Sequence, residues 1–585
     1  MKEILRTVWQ KDKRGFLLIL LLNIGVALMG SVSIVMLVPM LDLLNVSVGQ
    51  GSALEALLAP FRGMTFNQRA VAVITVFAAL MLLRSMLNAY VTVRMNAFLE
   101  RYEMNLRQDV YDAIGVASWE NLCSRPATDL IHMITVQCRQ VRACLQLTIS
   151  MIISCFSALL QLAIACWMSL PITVLILIVG GGFLLLFRPF LKKSREYGQK
   201  AVEVNRNLHR EIQNQLGGVK EIRSYGVEEH HRELFEDISR ECYDTNLRNT
   251  QLRVLPQLAY GIGAIALIVL AFVYSVMILK AGTAQLVILV YVFSRLWPMF
   301  SSWQGQMQSI QTCLPAYQAI RTGIEELTSG IREPQSKTGD LPLVQEVAFS
   351  QVGFTYRDGN EEVLHDVSFT LPKGTVTALV GPSGAGKSTT ADLLMGLLQP
   401  TCGQILVDGV ALTAQNLGMW RKAIGYIPQE PLIFNTTVRE NLLRFHPQAT
   451  EAEMVQALKR SLAWPFVEKL PNGLDTDLGD KGVRISGGER QRIVLARVLL
   501  GSPRLIILDE ATSALDYESE QFIRETIRSL GKNTTVLIIA HRMTTVRGAD
   551  RAVVLLDGTV AEQGSLQELL QKEDGYIAGM IGSEE

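Results

Sequence analysis

Six apolar stretches, each long enough to cross a lipid bilayer, lie between Phe16 and Trp303, and none lies beyond. A helix rises 1.5 Å per residue, so about 20 residues cover roughly 30 Å of hydrocarbon. The stretches are Phe16–Leu44, Ala70–Val93, Ala143–Leu170, Pro171–Phe187, Val254–Leu279 and Leu286–Trp303. Asn23 and Asp42 interrupt the first, Arg84 and Asn88 the second, and Arg295 the sixth. Hydrocarbon offers the backbone no hydrogen-bond partner, so each stretch has to satisfy itself as a helix. Ser169-Leu170-Pro171 divides the third stretch from the fourth, and proline suits a turn or the first turn of a helix, which predicts a helical hairpin there.

Basic residues set the orientation. Lys2, Arg6, Lys11, Lys13 and Arg14 precede the first stretch, and Arg94, Arg101, Arg107, Arg125 and Arg139 lie between the second and third. The connection between the fourth and fifth is also rich in Lys and Arg, so these segments and both termini are expected on the cytoplasmic side. The two long connections read as helices that leave the membrane and return, broken at Ala117–Pro126 and Gly217–Glu229. Leu5, Val8 and Trp9 share one face of Met1–Gly15, a pattern that suits a helix at the membrane surface and equally a plain soluble lead-in. The first apolar stretch is too long for a removable signal peptide and lacks a small-residue cleavage site.

Composition agrees with a chain that is part lipid-embedded and part aqueous: 49% hydrophobic, 19% charged, mean hydropathy +0.24. Its 55 basic and 55 acidic residues cancel, which leaves no bulk field for nucleic acid. Eight cysteines form no CxxC pair, so neither a disulfide framework nor a zinc site is expected.

Beyond a linker rich in Ser, Gly, Pro and charge at residues 328–344, short β-rich runs alternate with helical ones. Gly381-Pro382-Ser383-Gly384-Ala385-Gly386-Lys387-Ser388 follows the strand Val376–Val380 and opens a helix through Thr389, fitting GxxxxGK[ST] in its proper context. The glycines let backbone N–H groups close around phosphate oxygens; Lys387 neutralises the outer phosphates and Ser388 offers an oxygen to Mg2+. Leu505-Ile506-Ile507-Leu508-Asp509-Glu510 is an apolar strand ending in two carboxylates. After a P-loop, Asp509 is placed to hold Mg2+ through water and Glu510 to orient or deprotonate the attacking water.

Between these motifs, Ile485-Ser486-Gly487-Gly488-Glu489-Arg490-Gln491-Arg492 resembles the signature motif of ABC transporter ATPases. Ser513-Ala514-Leu515-Asp516 resembles that family's D-loop, His541 its switch histidine, Tyr356 the aromatic that stacks on adenine, and Gln429 the Q-loop glutamine. The resemblance covers nearly the whole chain, because six membrane helices ahead of one such ATPase is the layout of exporter-type half-transporters. It implies an α-helical six-span membrane domain over residues 1–327 and an α/β P-loop ATPase (ABC nucleotide-binding) domain over 345–585. It also implies ATP and Mg2+ as cofactors, with Ser388, Gln429 and Asp509 around the metal and Glu510, His541 and Gln429 serving hydrolysis. In the family the signature motif of one ATPase completes the P-loop site of another, so Ser486, Gly487, Gly488, Glu489 and Asp516 would act in trans on a second copy. The family's signature usually ends in glutamine; Glu489 departs from it and puts a carboxylate near ATP, a change expected to be tolerated.

Alternating access is then the expected mechanism, coupled through the two cytoplasmic breaks and the Gln429 loop. Arg84 and Arg295 are the candidates for the substrate cavity, because ionisable groups at membrane depth are costly unless they face a cavity; Gln304, Gln308 and Gln311 rank below them. The cargo expected is an amphiphile, lipid-linked molecule or peptide, exported or flipped, with membrane lipid as a partner. An importer of siderophore type built on the same fold is the alternative. Compact loops and a single fused ATPase point to a bacterial inner membrane.

Overall fold

The computed structural model describes residues 2–35, 65–168, 170–186, 188–277, 283–329, 341, 343–356, 359, 361–509, 534–540, 546–572 and 575–582. They cluster into two compact units, Met1–Val116 with Cys123–Ser329, and Ala117–Leu122 with Gly330–Glu585.

The first unit is helical. A short helix α1 (Lys2–Lys11) leads into α2 (Lys13–Val35); then follow α3 (Phe66–Val116), α4 (Cys138–Met168), α5 (Leu170–Leu186), α6 (Arg188–Gly217), α7 (Glu228–Met277) and α8 (Thr283–Leu327). The six apolar stretches fall on α2, α3, α4, α5, α7 and α8, except that residues 36–44 of the first, Asp42 among them, and Ser169, Phe187 and residues 278–279 lie outside the described residues. On α3 the side chains of Val71, Leu82, Met86 and Val93 are 66% to 72% exposed, a cost that water would impose and hydrocarbon does not. Small residues permit close helix approach: a Cβ on Gly180 would stand 2.6 Å from the Phe300 ring of α8. On α1, Ile4 and Val8 are buried and the Thr7 hydroxyl is 3.0 Å from that of Tyr317, while Trp9 stays 43% exposed.

Pro256 lies inside α7, and Pro298 and Pro315 inside α8. A proline has no N–H to give to the carbonyl four residues before it. For Pro256 that carbonyl belongs to Leu252, and it accepts instead from Nε2 of Gln308 on α8, at 3.0 Å. The indole of Trp297 on α8 likewise donates to the Tyr260 carbonyl of α7, at 2.9 Å. Between α3 and α4 the chain breaks into a short helix Trp119–Cys123. Between α6 and α7 it breaks into Val219–Tyr225, closed by Gly226 at φ +65°.

The second unit has two sheets. Strands β1 (Glu346–Thr355), β2 (Glu362–Pro372), β4 (Cys402–Val407) and β5 (Val410–Ala411) form an antiparallel sheet in the order β2-β1-β4-β5. The other carries β3 (Val376–Val380), β6 (Ile424–Ile427), β7 (Leu505–Asp509), β8 (Thr535–Ala540), β9 (Arg551–Leu556) and β10 (Thr559–Ser565), in the order β10-β9-β3-β8-β7-β6. Here β3 runs parallel to β8 and β9, and β7 parallel to β6 and β8. Such strands are covered on both faces and read as continuous apolar runs, as Leu505-Ile506-Ile507-Leu508 does. One face packs on Val438, Leu458 and Ile493, the other on Phe349, Phe369 and Trp420. Ligands bind such sheets at the carboxyl ends of their strands, where Gly381 and Asp509 lie.

Candidate functional site

The loop after β3 owes its shape to its glycines. Gly386 has φ +92°, and a Cβ there would lie 2.5 Å from the Leu364 side chain; at Gly381 a Cβ would lie 2.2 Å from the Leu555 carbonyl oxygen. The helix α9 (Lys387–Leu394) starts directly behind it, with the N–H groups of its first turn at the loop. Lys387 is 5% exposed, and its Nζ donates to the carbonyls of Gly381 and Pro382, both at 2.8 Å. Ser388, Pro382, Ser383 and Gly384 are exposed, while Ala385 and Thr389 are buried. The Tyr356 hydroxyl is 3.2 Å from that of Thr389, and Phe354 meets the Tyr356 ring edge to face at 4.8 Å. The Tyr356 hydroxyl thus sits beside the start of the helix behind the loop, with the residue 39% exposed.

At the end of β7, Asp509 accepts from the Tyr426 hydroxyl at 3.2 Å. Gln429 follows β6 on an exposed bend. Ser388, Asp509 and Gln429 offer a hydroxyl, a carboxylate and an amide carbonyl, the hard oxygen donors that suit Mg2+, which would serve to neutralise charge on the phosphates. Glu510, Asp516 and His541 lie outside the described residues.

Two residues of this site escape a motif-based reading. Tyr426 is one, its phenol pushed well above the ordinary range by burial and by Asp509. Asp392 is the other: burial pushes its carboxyl up to about 6, Asp509 adds to the effect, and a hydrogen bond from Trp119 opposes it. Because the folded value lies above the unfolded one, ionising Asp392 opposes folding. Its contribution is most favourable below the ordinary value near 4 and is lost as pH rises toward 6. Asp392→Asn is therefore expected to stabilise the protein at pH 7.5 by about 1 to 2 kcal/mol, after allowance for residual exposure, with the gain shrinking below pH 6. Thermal unfolding of both proteins across that range reads it directly.

Ser486 caps the helix α10 (Gly487–Leu500). Its hydroxyl accepts from the Glu489 N–H at 3.3 Å, and the Glu489 carboxylate turns back to accept from the Ser486 N–H and Oγ, each at 2.8 Å. This is a capping box, in which glutamate and glutamine serve alike. The S-x-x-E spacing was the available signal for it. Gly487 and Gly488 open the helix, with their N–H groups at its positive end.

In the membrane unit a cavity of about 660 Å³ opens among α4, α7 and α8. Gln257, Tyr260, Trp297, Ser301, Ser302 and Gln306 supply its polar wall. Arg84 is not part of it; that residue is half-buried on α3 beside the exposed Leu82, Leu83 and Met86. The Arg295 side chain lies outside the described residues. Gln304 and Gln308 are buried, 2% and 1% exposed, and neither they nor Gln311 line the cavity. A glutamine at 306 lies on another face of the helix from one at 304 or 308, and packing alone decides which face opens.

Residues 364–513 match the family described as ABC transporter, and residues 16–299 match the ABC transporter transmembrane region. The chain belongs to the ABC transporter family. Its ATPase is coupled to transport across a membrane, and both parts of the machine lie on one polypeptide. A candidate multidrug export ATP-binding/permease protein of Staphylococcus aureus is 30% identical over 441 residues, which cover 72% of this ABC transporter and 74% of that protein. The heterocyst differentiation ATP-binding protein HepA of Nostoc sp. is 37% identical over 366 residues, or 61% of this chain and 58% of that one. A solved bacterial Atm1-family ABC exporter with ATP bound shares the fold, with a TM-score of 0.80 over 99% of both chains at 24% identity.

Proposed function

We propose that this ABC transporter works as a homodimer that exports or flips an amphiphilic, lipid-linked or peptide substrate out of the cytoplasm. Residues 1–327 form the membrane domain, 328–344 the linker and 345–585 the ATPase, with both termini and the ATPase on the cytoplasmic side of the bacterial inner membrane. The observation that carries the direction is the cavity. Its wall uses Val254 to Ala264 and Trp297 to Ser309, the cytoplasmic ends of the fifth and sixth spans in the orientation that the basic residues favour. A cargo would therefore load from the inside.

In each site Lys387 and the loop N–H groups hold the β- and γ-phosphates, and Tyr356 stacks on adenine. Ser486, Gly487, Gly488 and Asp516 of the other copy close over the γ-phosphate, with Glu489 bracing the helix end that presents them. Glu510 orients or deprotonates the water, with Gln429 and His541 placing it. ATP binding draws the two ATPases together and hydrolysis releases them, so the membrane spans alternate between two openings. The apolar side chains exposed around the second cytoplasmic break support a second copy. Leu216 is 70% exposed and Tyr225 81%, with Val219 and Val227 nearby.

Two inactive variants test the shared site. Chains carrying Lys387→Ala and chains carrying Ser486→Arg should each be inactive alone. Random mixing of the two is expected to restore about a quarter of wild-type ATPase sites, because half the dimers are mixed and each holds one intact site. A mixture as inactive as its parents would rule out the shared-site homodimer. Direction is read from inverted membrane vesicles, in which ATP added outside should drive an amphiphile inward.

A further inference from the structure

From the wall of the membrane cavity we infer the cargo's polar part: an uncharged, hydroxyl-rich headgroup such as a glycoside, an assignment that rests on the transport reading above. The described lining holds amides, hydroxyls and aromatic rings, and none of its residues carries a charge. Gln306 donates through Nε2 to the Ser302 hydroxyl at 3.0 Å, which fixes these two polar side chains against each other on the wall. A wall of amides and hydroxyls favours a ligand that brings O–H groups, which can donate to and accept from both. Ser301 can both donate and accept, and Gln257 can do the same through its amide.

The aromatic side of the wall is fixed in place. Trp297 is held by its indole bond to the Tyr260 carbonyl and by stacking on Phe293, with ring centroids 5.4 Å apart. Tyr260 meets Trp297 edge on at 6.0 Å. Rigid rings beside amides and hydroxyls accommodate the C–H faces and the hydroxyl edges of a sugar ring together. A phosphate, a carboxylate or an ammonium group would instead meet no counter-charge among the described lining residues, a far costlier burial. Gly261 keeps the space open, since a Cβ there would meet nothing within 4 Å.

The test uses the full chain in lipid nanodiscs without nucleotide and three probes of one tail length at sub-micellar concentration: octyl glucoside, octyl sulfate and octyltrimethylammonium. Octyl glucoside should bind at least about tenfold more tightly than either charged probe, the weight of one well-placed hydrogen bond. Gln306→Leu should weaken its binding by a similar factor, and Gly261→Leu should abolish it by filling the cavity. Equal or tighter binding of either charged probe overturns the assignment without recourse to any variant. So does wild-type affinity for the glucoside in both variants. Selective binding of the glucoside with no ATP-driven movement of it in vesicles defeats the transport reading and leaves the headgroup assignment standing. ATP-driven movement of a charged probe alone does the reverse.

Discussion

Lys387→Ala is expected to lower ATP turnover by at least about a hundredfold, with nucleotide affinity falling alongside it. The reason lies in what the ammonium does in this structure. It is buried and bridges the carbonyls of Gly381 and Pro382, so it pins the loop, and the P-loop pattern sets it to meet the phosphate oxygens in the proposed site. Alanine removes the charge that faces the outer phosphates and leaves two carbonyls without their donor. Phosphate release and binding of a fluorescent ATP analogue measure the two effects separately. Turnover within a few-fold of wild type would remove Lys387 from the site.

Glu510→Gln should reduce hydrolysis by about two to three orders of magnitude while ATP still binds. The amide keeps the shape and loses the basicity, so the expected signature is a protein that fills with nucleotide and does not turn over. Glu510 follows Asp509 at the end of β7, whose other four residues are fully buried and apolar. A variant with unchanged ATP binding and normal turnover would move the catalytic base elsewhere.

Why these two residues could be found in the sequence, and others could not, comes down to what fixes each one. A P-loop is written in residue types because positive φ and close backbone approach admit only glycine, and because one lysine must follow at one spacing. Membrane spans are legible because hydrocarbon enforces a length and a composition. A cavity wall has no such spelling. The cost of burying charge points to Arg84, yet α3 carries it among exposed leucines, where its long stem can reach away from the hydrocarbon. Gln306 carries no cue that separates it from Gln304 or Gln308. Asp392 reads as one more helix residue until folding sets it near Asp509. Glu489 read as a charge aimed at ATP, and the structure shows the carboxylate spent on its own helix end.

The bond from Gln308 to the Leu252 carbonyl carries a consequence for motion. A proline kink normally frees a helix to bend, because the carbonyl it orphans has nothing to lose. Here the orphan is claimed by the neighbouring helix, and Trp297 claims a second carbonyl one level further along. The two helices are riveted at two heights beside the cavity. A swing that parts the two helices has to break both bonds, at about 1 kcal/mol each, so moving them as a pair is the cheaper course and the freedom that Pro256 would have granted one helix is shared by two.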